Sequence, residues 1–346
     1  MIDVLKIVII VLTIVGFLMV NSNSKKGNFF FCVLSCLVLS FLSAIRAESV
    51  GTDTISYIAE YHYVSKEPYL FLFSNYQSCF GFYWFAKMCQ NIGLPVNFWF
   101  FLIALLFNSS IFCFIYKFSK NCLLSFILYI GLGVFAFSLA GLKQIMAMSF
   151  CIFSVMVLNK KHGLLFSILL ILVAATFHQS ALFFIVILLI LKLKPSKKLN
   201  IFFSILFLFL IIFGGNLLKG VILYLADIGN RFGHYSSDVS DVNLTMFFIN
   251  AVLIFVCLIC YKYLIIDKLN SSIYALLIAL VFFFLTTIVS SMFRMGFYLS
   301  FFIFALYPNV VERIRDRSLS QMISFGTGLA YLLYFLIFTN INYSTI

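Results

Sequence analysis

Ten polar side chains in this sequence are chemically reactive or charged and lie in or beside apolar runs: Arg46, Asp53, Tyr57, Glu60, Lys143, Gln144, His178, Arg231, His234 and Arg294. Arginine binds phosphate through a planar fork, and lysine binds it as a point charge. Histidine and carboxylate groups accept protons from hydroxyl groups. Together, these residue types indicate a site that holds an anion and activates a hydroxyl.

The segment GTDTISYIAEYHY, residues 51–63, spaces Asp53, Tyr57 and Glu60 at i, i+4 and i+7. On a helix, these three side chains share one stripe. A carboxylate on that stripe could take a proton from a sugar hydroxyl. Asp53 could equally cap the start of the helix, a position that aspartate favours.

The isolated cations and the histidine each have two interpretations. Arg294, Arg46 and Lys143 either bind phosphate or anchor a helix end at the membrane surface. His178 lies in LVAATFHQSALFFIV (172–186), with no charged residue within ten positions. It is either a packing residue with its hydrogen bonds satisfied, or a base, phosphate donor or sugar contact. We predict no metal and no cofactor.

The composition identifies the elements that must position these groups. The chain is 64% hydrophobic and 10% charged, with a mean hydropathy of +1.14. Such a chain predicts an all-α polytopic membrane protein, with one integral membrane domain over residues 1–346. About twelve transmembrane helices, some short or re-entrant, are predicted at 2–20, 29–45, 94–116, 122–140, 142–158, 163–177, 179–192, 199–218, 244–265, 273–293, 295–311 and 319–339.

The charged residues sort between alternate loops. One set of loops carries Lys25, Lys26, Lys117, Lys120, Lys160, Lys161, Lys192, Lys194, Lys197, Lys198, Lys262, Lys268, Arg313, Arg315 and Arg317 against three acids, and so holds the whole formal charge of +12. The positive-inside rule makes these loops cytoplasmic and places both termini outside. Residues 163–192 must then cross twice or re-enter, which turns His178 into an outward-facing tip.

Two longer loops are predicted on the outer, periplasmic face. The first covers residues 46–93, and its aromatic stretch 69–88 is predicted to form an interfacial helix. The second covers residues 219–243 and contains Arg231. All ten polar residues named at the outset then share the outer face.

Four patches resemble EpsG-like and Wzy-type polysaccharide polymerases. GTDTISYIAEYH with EPYLFLF is similar to their "G-x-D…Y…E-P" outer loop, and GLKQIMAMSFCIFSVMVLNKKH to their "R-Q-x-x-A" span. LLILVAATFHQSALFFIVILLI is similar to their "A-x-x-F-H-x-S-A" element, and SMFRMGFYLSFF to their late "R-x-x-x-Y" span. Lys143 departs from the family arginine; it keeps the charge and loses the bidentate fork.

The resemblance implies a metal-independent membrane glycosyltransferase, an O-antigen or capsule polymerase of the bacterial inner membrane with a periplasmic active face. It would transfer the growing glycan from undecaprenyl pyrophosphate to a lipid-linked repeat unit. Arg294, Lys143, Gln144, Arg46, Tyr57 and Arg231 would bind pyrophosphate or sugar, and His178, Asp53 or Glu60 would act on the acceptor. Partners would be the lipid-linked oligosaccharides, membrane lipids, a chain-length regulator and a flippase, and no nucleic acid. The alternatives are a flippase of lipid-linked oligosaccharide and an O-antigen ligase.

Overall fold

The computed structural model describes residues 4–20, 24–228, 245–260 and 269–338, and this part of the chain is helical. Its α-helices are α1 (Val4–Met19), α2 (Lys25–Ala44), α3 (Thr54–Val64), α4 (Tyr69–Asn75), α5 (Phe80–Asn91), α6 (Val96–Phe118), α7 (Cys122–Gly131), α8 (Val134–Ser138), α9 (Leu142–Val157), α10 (Gly163–Phe177), α11 (Phe184–Lys192), α12 (Lys197–Ile228), α13 (Thr245–Ile259), α14 (Ser272–Leu285), α15 (Phe293–Ser300), α16 (Ile303–Val311) and α17 (Arg317–Phe338). Short 3₁₀ helices cover Gln179–Phe183 and Ser290–Met292.

The helices form two compact units. One unit covers Met1–Leu188 together with Ile314–Ile346, and the other covers Leu189–Arg313. The first unit therefore contains α1 to α10 and α17. The prediction of a single membrane domain over the whole chain remains a prediction.

The helix lengths confirm an all-helical membrane protein without confirming twelve spans. Among the described residues, four helices are long and apolar enough to cross a membrane: Lys25–Ala44, Val96–Phe118, Lys197–Gly215 and Arg317–Ile337. A fifth crossing results if α15 and α16, bent by 52° at a short break, count as one span. The other apolar helices have 10–17 residues. At 1.5 Å per residue they fall short of a hydrocarbon core of roughly 30 Å.

Local backbone geometry explains two differences from the predicted segments. The predicted span 122–140 is split into α7 and α8, because Gly133 adopts a positive φ of 75° that ends the first helix. The helix predicted at 199–218 instead runs from Lys197 to Ile228, which makes the first part of the predicted second outer loop helical.

The basic loops of the first unit meet at one end of its helices. The Lys117 ammonium group donates a hydrogen bond of 2.7 Å to the carbonyl of Met156, near the end of α9. The Phe29 ring, near the start of α2, lies 5.7 Å from the Tyr116 ring near the end of α6. Lysines 25 and 26, 117 and 120, and 160 and 161 therefore gather at one end, as the charge sorting predicts.

Buried polar contacts hold these helices in register. The Asn108 side chain on α6 donates to the Ser40 hydroxyl on α2 at 3.0 Å and accepts from the Tyr129 hydroxyl on α7 at 2.7 Å. Asn108, Ser40 and Tyr129 are fully buried. An unmade hydrogen bond would be costly at this depth, so the pairing fixes the three helices relative to one another. Helix α9, which carries Lys143, packs on α6 and α10.

Candidate functional site

Lys143 is the second residue of α9, directly after the turn that leaves α8. Gly141 stands just before the helix, where an added Cβ would meet the ring of Phe137. Backbone N–H groups at a helix start carry partial positive charge, and the Lys143 ammonium group adds to it. The start of α9 therefore presents positive charge toward the segment of residues 46–93.

Lys143, Glu60 and Tyr83 form a closed triangle of hydrogen bonds. The Lys143 ammonium group lies 2.9 Å from Glu60 Oε1 and 2.7 Å from the Tyr83 hydroxyl. The Tyr83 hydroxyl in turn donates to the same Glu60 oxygen at 2.9 Å. The other carboxylate oxygen, Oε2, is enclosed and accepts no hydrogen bond from the described residues. A cation, a carboxylate and a phenol from three separate helices thus meet at one point, called the Lys143 triangle below.

Aromatic rings enclose this triangle. The Lys143 ammonium group lies 4.7 Å from the centroid of the Tyr83 ring, 5.4 Å from that of Phe82 and 5.5 Å from that of Tyr57. Such distances allow attraction between the cation and the ring faces. The Tyr76 ring covers Tyr83, with 4.0 Å between centroids. The rings exclude water from one side of the ammonium group, while 22% of the Lys143 side chain and 32% of the Glu60 side chain stay exposed.

Burial and the nearby carboxylate keep the Tyr83 hydroxyl protonated. Burial, followed by the negative charge of Glu60, raises the pKa of Tyr83 far above its ordinary value. Burial raises the pKa of the Tyr76 hydroxyl as well, with Glu60 adding to the effect. Burial also raises the pKa of the Cys79 thiol, against a lowering by Lys143. Tyr83 therefore serves the site as a neutral hydrogen-bond donor.

Packing among α3, α5 and α6 sets the positions of Glu60 and Tyr83. The Tyr61 ring stacks on the Trp99 ring at 4.8 Å, and its hydroxyl donates to the Leu94 carbonyl at 2.7 Å. The Lys87 ammonium group donates to the carbonyls of Val64 and Ser65 at 3.3 and 3.0 Å, and so caps the end of α3. These contacts lock α3 and α5 together, with Glu60 and Tyr83 on adjoining faces.

His178 occupies the break between α10, which ends at Phe177, and the 3₁₀ helix that begins at Gln179. Its side chain is half-buried, and its Nδ1 atom lies 2.6 Å from the Ser180 hydroxyl. The next residue donates its backbone N–H to the Ser78 carbonyl at 3.1 Å. Ser78 lies between Tyr76, whose ring covers Tyr83, and α5, which carries Tyr83, so the histidine turn borders the segment that carries the triangle.

Close contact between α5 and α10 brings the histidine turn to this place. An added Cβ at Gly81 would collide with the side chain of Thr176. Only glycine allows this approach without displacing one of the two helices. Gly81 therefore couples the element that carries Tyr83 to the element that ends at His178.

The other predicted residues of the first unit have varied surroundings. Asp53 takes the N-cap position of α3, yet its side chain accepts no N–H there. Gln144 is buried beside Lys143. Arg46 is 2% exposed; it donates to the Ser43 carbonyl at 2.9 Å and lies 4.5 Å from the centroid of the Phe100 ring. Arg46 therefore anchors the end of α2 in the structure.

The remaining predicted residues lie elsewhere. Arg294 is exposed on α15 in the second unit, where its guanidinium group lies 5.9 Å from the centroid of the Phe293 ring. Arg231 and His234, together with residues 229–243 of the predicted second outer loop, lie outside the described residues. The predicted interfacial helix at 69–88 is two short helices, α4 and α5, with Leu70, Phe73 and Trp84 exposed on them.

Tyr83 is the site residue that reasoning from sequence missed. It lies in the aromatic run FGFYWFAKM, where five aromatic residues within six positions hide which ring faces the site. Helical spacing offered a signal, because Tyr76 and Tyr83 are seven residues apart and so face the same way on one continuous helix. The structure instead joins the two tyrosines across the break between α4 and α5.

The fold and the site together define a class: a helical membrane protein whose charged and aromatic groups converge at one end of the first unit. Comparison with protein families then gives the particular assignment. The model of the EpsG family matches residues 29–345, and the chain belongs to this family. The family is associated with Wzy-type polymerases, so the predicted resemblance to EpsG-like and Wzy-type polymerases is confirmed. No curated protein and no solved structure matches the chain.

Proposed function

We propose that this protein polymerises lipid-linked glycan repeat units, and that the Lys143 triangle is the centre of its reaction site. The observation that carries the proposal is the meeting of Lys143, Glu60 and Tyr83 at the start of α9. Membership of the EpsG family supports a polysaccharide polymerase-like membrane protein. The triangle adds the two groups that glycosyl transfer needs: a cation that binds the anionic leaving group, and a base that accepts the proton of the attacking hydroxyl.

The reaction forms one bond and breaks another at the anomeric carbon of the growing glycan. The acceptor hydroxyl of a new repeat unit attacks this carbon, and the bond to undecaprenyl pyrophosphate breaks. The electron pair leaves with the pyrophosphate, whose charge is stabilised by cations that lie where it develops. The acceptor proton passes to a nearby base. A pyrophosphate is already a good leaving group, so a general acid is not required.

Lys143 binds the pyrophosphate and Glu60 acts on the acceptor hydroxyl, and both do so by giving up their contact with each other. An arriving pyrophosphate competes with the Glu60 carboxylate for the Lys143 ammonium group. When Lys143 turns to phosphate, the Glu60 carboxylate is released from the cation and can accept a hydrogen bond from the acceptor hydroxyl. Tyr83, hydrogen-bonded to Glu60 Oε1, holds the carboxylate in place during this exchange. His178, in the adjoining turn, is proposed to orient the acceptor or to bind phosphate.

The proposal extends to the cell. The protein resides in the bacterial inner membrane. The segment 46–93, which carries Glu60 and the aromatic rings of the site, faces the periplasm, and the lysine-rich end of the first unit faces the cytoplasm. Its substrates are undecaprenyl-pyrophosphate-linked oligosaccharides, and a flippase and a chain-length regulator work beside it. Arg294 is proposed as a phosphate contact on the basis of its family motif alone. The polymer is an O-antigen or a capsule.

Deletion of the gene in the bacterium that encodes this chain tests the proposal. A lost polymerase leaves surface glycan as single repeat units, and the wild-type gene restores the ladder of lengths on a gel. A lost flippase or ligase leaves the surface without repeat units. Single units after deletion support the proposal, and bare acceptor lipid contradicts it.

A further inference from the structure

A groove of about 340 Å³ lies where α9 ends and α10 begins. It is far from the Lys143 triangle, because Lys143 opens α9 and the groove lies at the other end of that helix. Its apolar floor is formed on α10 by Phe166, Leu169, Leu170 and Val173, whose i, i+3, i+4, i+7 spacing places them on a single helical face. Two exposed lysines, Lys160 and Lys161, also line the groove.

The turn between the two helices fixes the lysines at the mouth of the groove. His162 adopts a φ of 56°, in the left-handed region. Gly163 follows, and an added Cβ there would collide with the carbonyl oxygens of Val157 and Leu158. The start of α10 therefore lies directly against the end of α9. Backbone hydrogen bonds from Lys160 to Val157 and from Gly163 to Lys160 hold this turn, and both lysines line the groove beside it.

Positive charge accumulates at this end without acidic residues in the same stretch. Lys117 reaches the Met156 carbonyl, one residue before Val157 in the groove wall, and brings a third cation close by. The sequence contains no aspartate or glutamate between Glu67 and Asp227. The two charged residues of the groove lining are both lysines, and the floor beside them is apolar.

We propose that this groove binds one anionic phospholipid. The phosphate lies between Lys160 and Lys161, and an acyl chain follows the stripe from Phe166 to Val173, which is about 10 Å long at 1.5 Å per residue. The volume stands near the lower end for ligand pockets, about 300 Å³, and so accommodates part of one chain. Lysines at helix ends extend toward headgroups, and basic pockets between membrane helices bind anionic lipids. This inference does not depend on the proposed polymerase activity.

Native mass spectrometry of the purified full-length protein tests this site. The protein is stripped of lipid in detergent and titrated separately with cardiolipin, phosphatidylglycerol and phosphatidylcholine. We expect one anionic phospholipid to be retained at concentrations at which phosphatidylcholine is not. Replacing both lysines (K160Q/K161Q) should weaken this retention by about tenfold or more, because each lysine contributes separately to headgroup attraction.

Two matched controls separate a built site from general charge. K197Q/K198Q removes another exposed pair of adjacent lysines and should leave retention unchanged. Leu169→Trp fills the groove and should abolish retention with both lysines in place, whereas Leu165→Trp, on an exposed position outside the groove, should not. Equal retention of the zwitterionic lipid, or wild-type retention in both K160Q/K161Q and Leu169→Trp, would overturn the proposal. A co-purified polyprenyl phosphate that anionic phospholipids fail to displace would also overturn it.

Discussion

Tyr83 is the residue whose role depends most on geometry, because its single hydroxyl contacts both charged members of the triangle. The Lys143–Glu60 pair is partly exposed, and exposed ion pairs stabilise a fold by about 0–1 kcal/mol. The ion pair therefore contributes little to folding and is better explained by a function at the site. Removing single atoms from it should alter activity more than stability.

Tyr83→Phe should lower the rate of polymerisation by about tenfold, or about 1.4 kcal/mol of transition-state free energy, because Lys143 and Glu60 lose the hydroxyl that holds them in place. The phenylalanine ring keeps the packing against Tyr76 and Phe82, so the melting temperature should change little. The measurement is polymer length and rate in cells that carry the variant. Tyr76→Phe is the matched control, since its ring covers the site while Tyr83 supplies the hydrogen bonds. Equal rates for both variants would show that the Tyr83 hydroxyl has no part in the reaction.

Tyr83 also makes the folding stability of the protein depend on pH in the alkaline range. Its pKa is raised in the folded state by burial and by Glu60, so the unfolded chain releases this proton first, near the ordinary tyrosine pKa of about 10. The stability that Tyr83 contributes is complete below that pH and falls as the pH rises above it. The drop in melting temperature from pH 9 to pH 11 should therefore be smaller in Tyr83→Phe than in the wild type. Identical drops would contradict a raised pKa at this position.

At the scale of elements, the contact between α5 and α10 determines whether the site assembles. Gly81→Ala should push α5 away from Thr176 and weaken the bond from the Gln179 N–H to the Ser78 carbonyl. We expect a loss of polymerisation together with a lower melting temperature. Gly326→Ala, in α17, is the control, because no atom beyond the adjoining backbone of its own helix lies within 4 Å of its added Cβ. If Gly81→Ala behaves like Gly326→Ala, the close contact does not position the site.

Some residues and breaks of these elements could be predicted from sequence, and others depend on tertiary packing such as the contact between α5 and α10. Lys143 and Glu60 were predicted as site residues, because charge beside apolar runs is rare and visible in a sequence. The break at His178 was predicted from the parity of the charged loops. Tyr83 was not, because its direction depends on the rotation of α5, which Gly81 and Thr176 set through tertiary packing. The split of residues 122–140 was also missed, since a hydropathy window does not register the positive φ of Gly133.

At the scale of the molecule, the Lys143 triangle lies at the start of α9 and the lysine-rich end of the first unit lies where α9 ends. In the proposed topology, the lysine-rich end faces the cytoplasm and the triangle faces outward. Single cysteines introduced at Lys66 and at Lys161, in a chain whose native cysteines are replaced, should react with an impermeant thiol reagent in whole cells only at position 66. Position 161 should react after the cells are opened. The reverse pattern would invert the orientation and contradict a periplasmic reaction site.

The central claim is that Lys143, in its triangle with Glu60 and Tyr83, holds the departing pyrophosphate. The most direct measurement uses the purified protein in lipid vesicles supplied with undecaprenyl-pyrophosphate-linked repeat units, with product lengths resolved on a gel. The wild type should give a ladder. Lys143→Ala should lower the rate by about a hundredfold, as for loss of one transition-state contact. Lys143→Arg should retain much of the activity, because it keeps the charge. Lys66→Ala, which removes an exposed lysine of the segment 46–93 that also carries Glu60 and Tyr83, should match the wild type. A full ladder from Lys143→Ala would contradict the account.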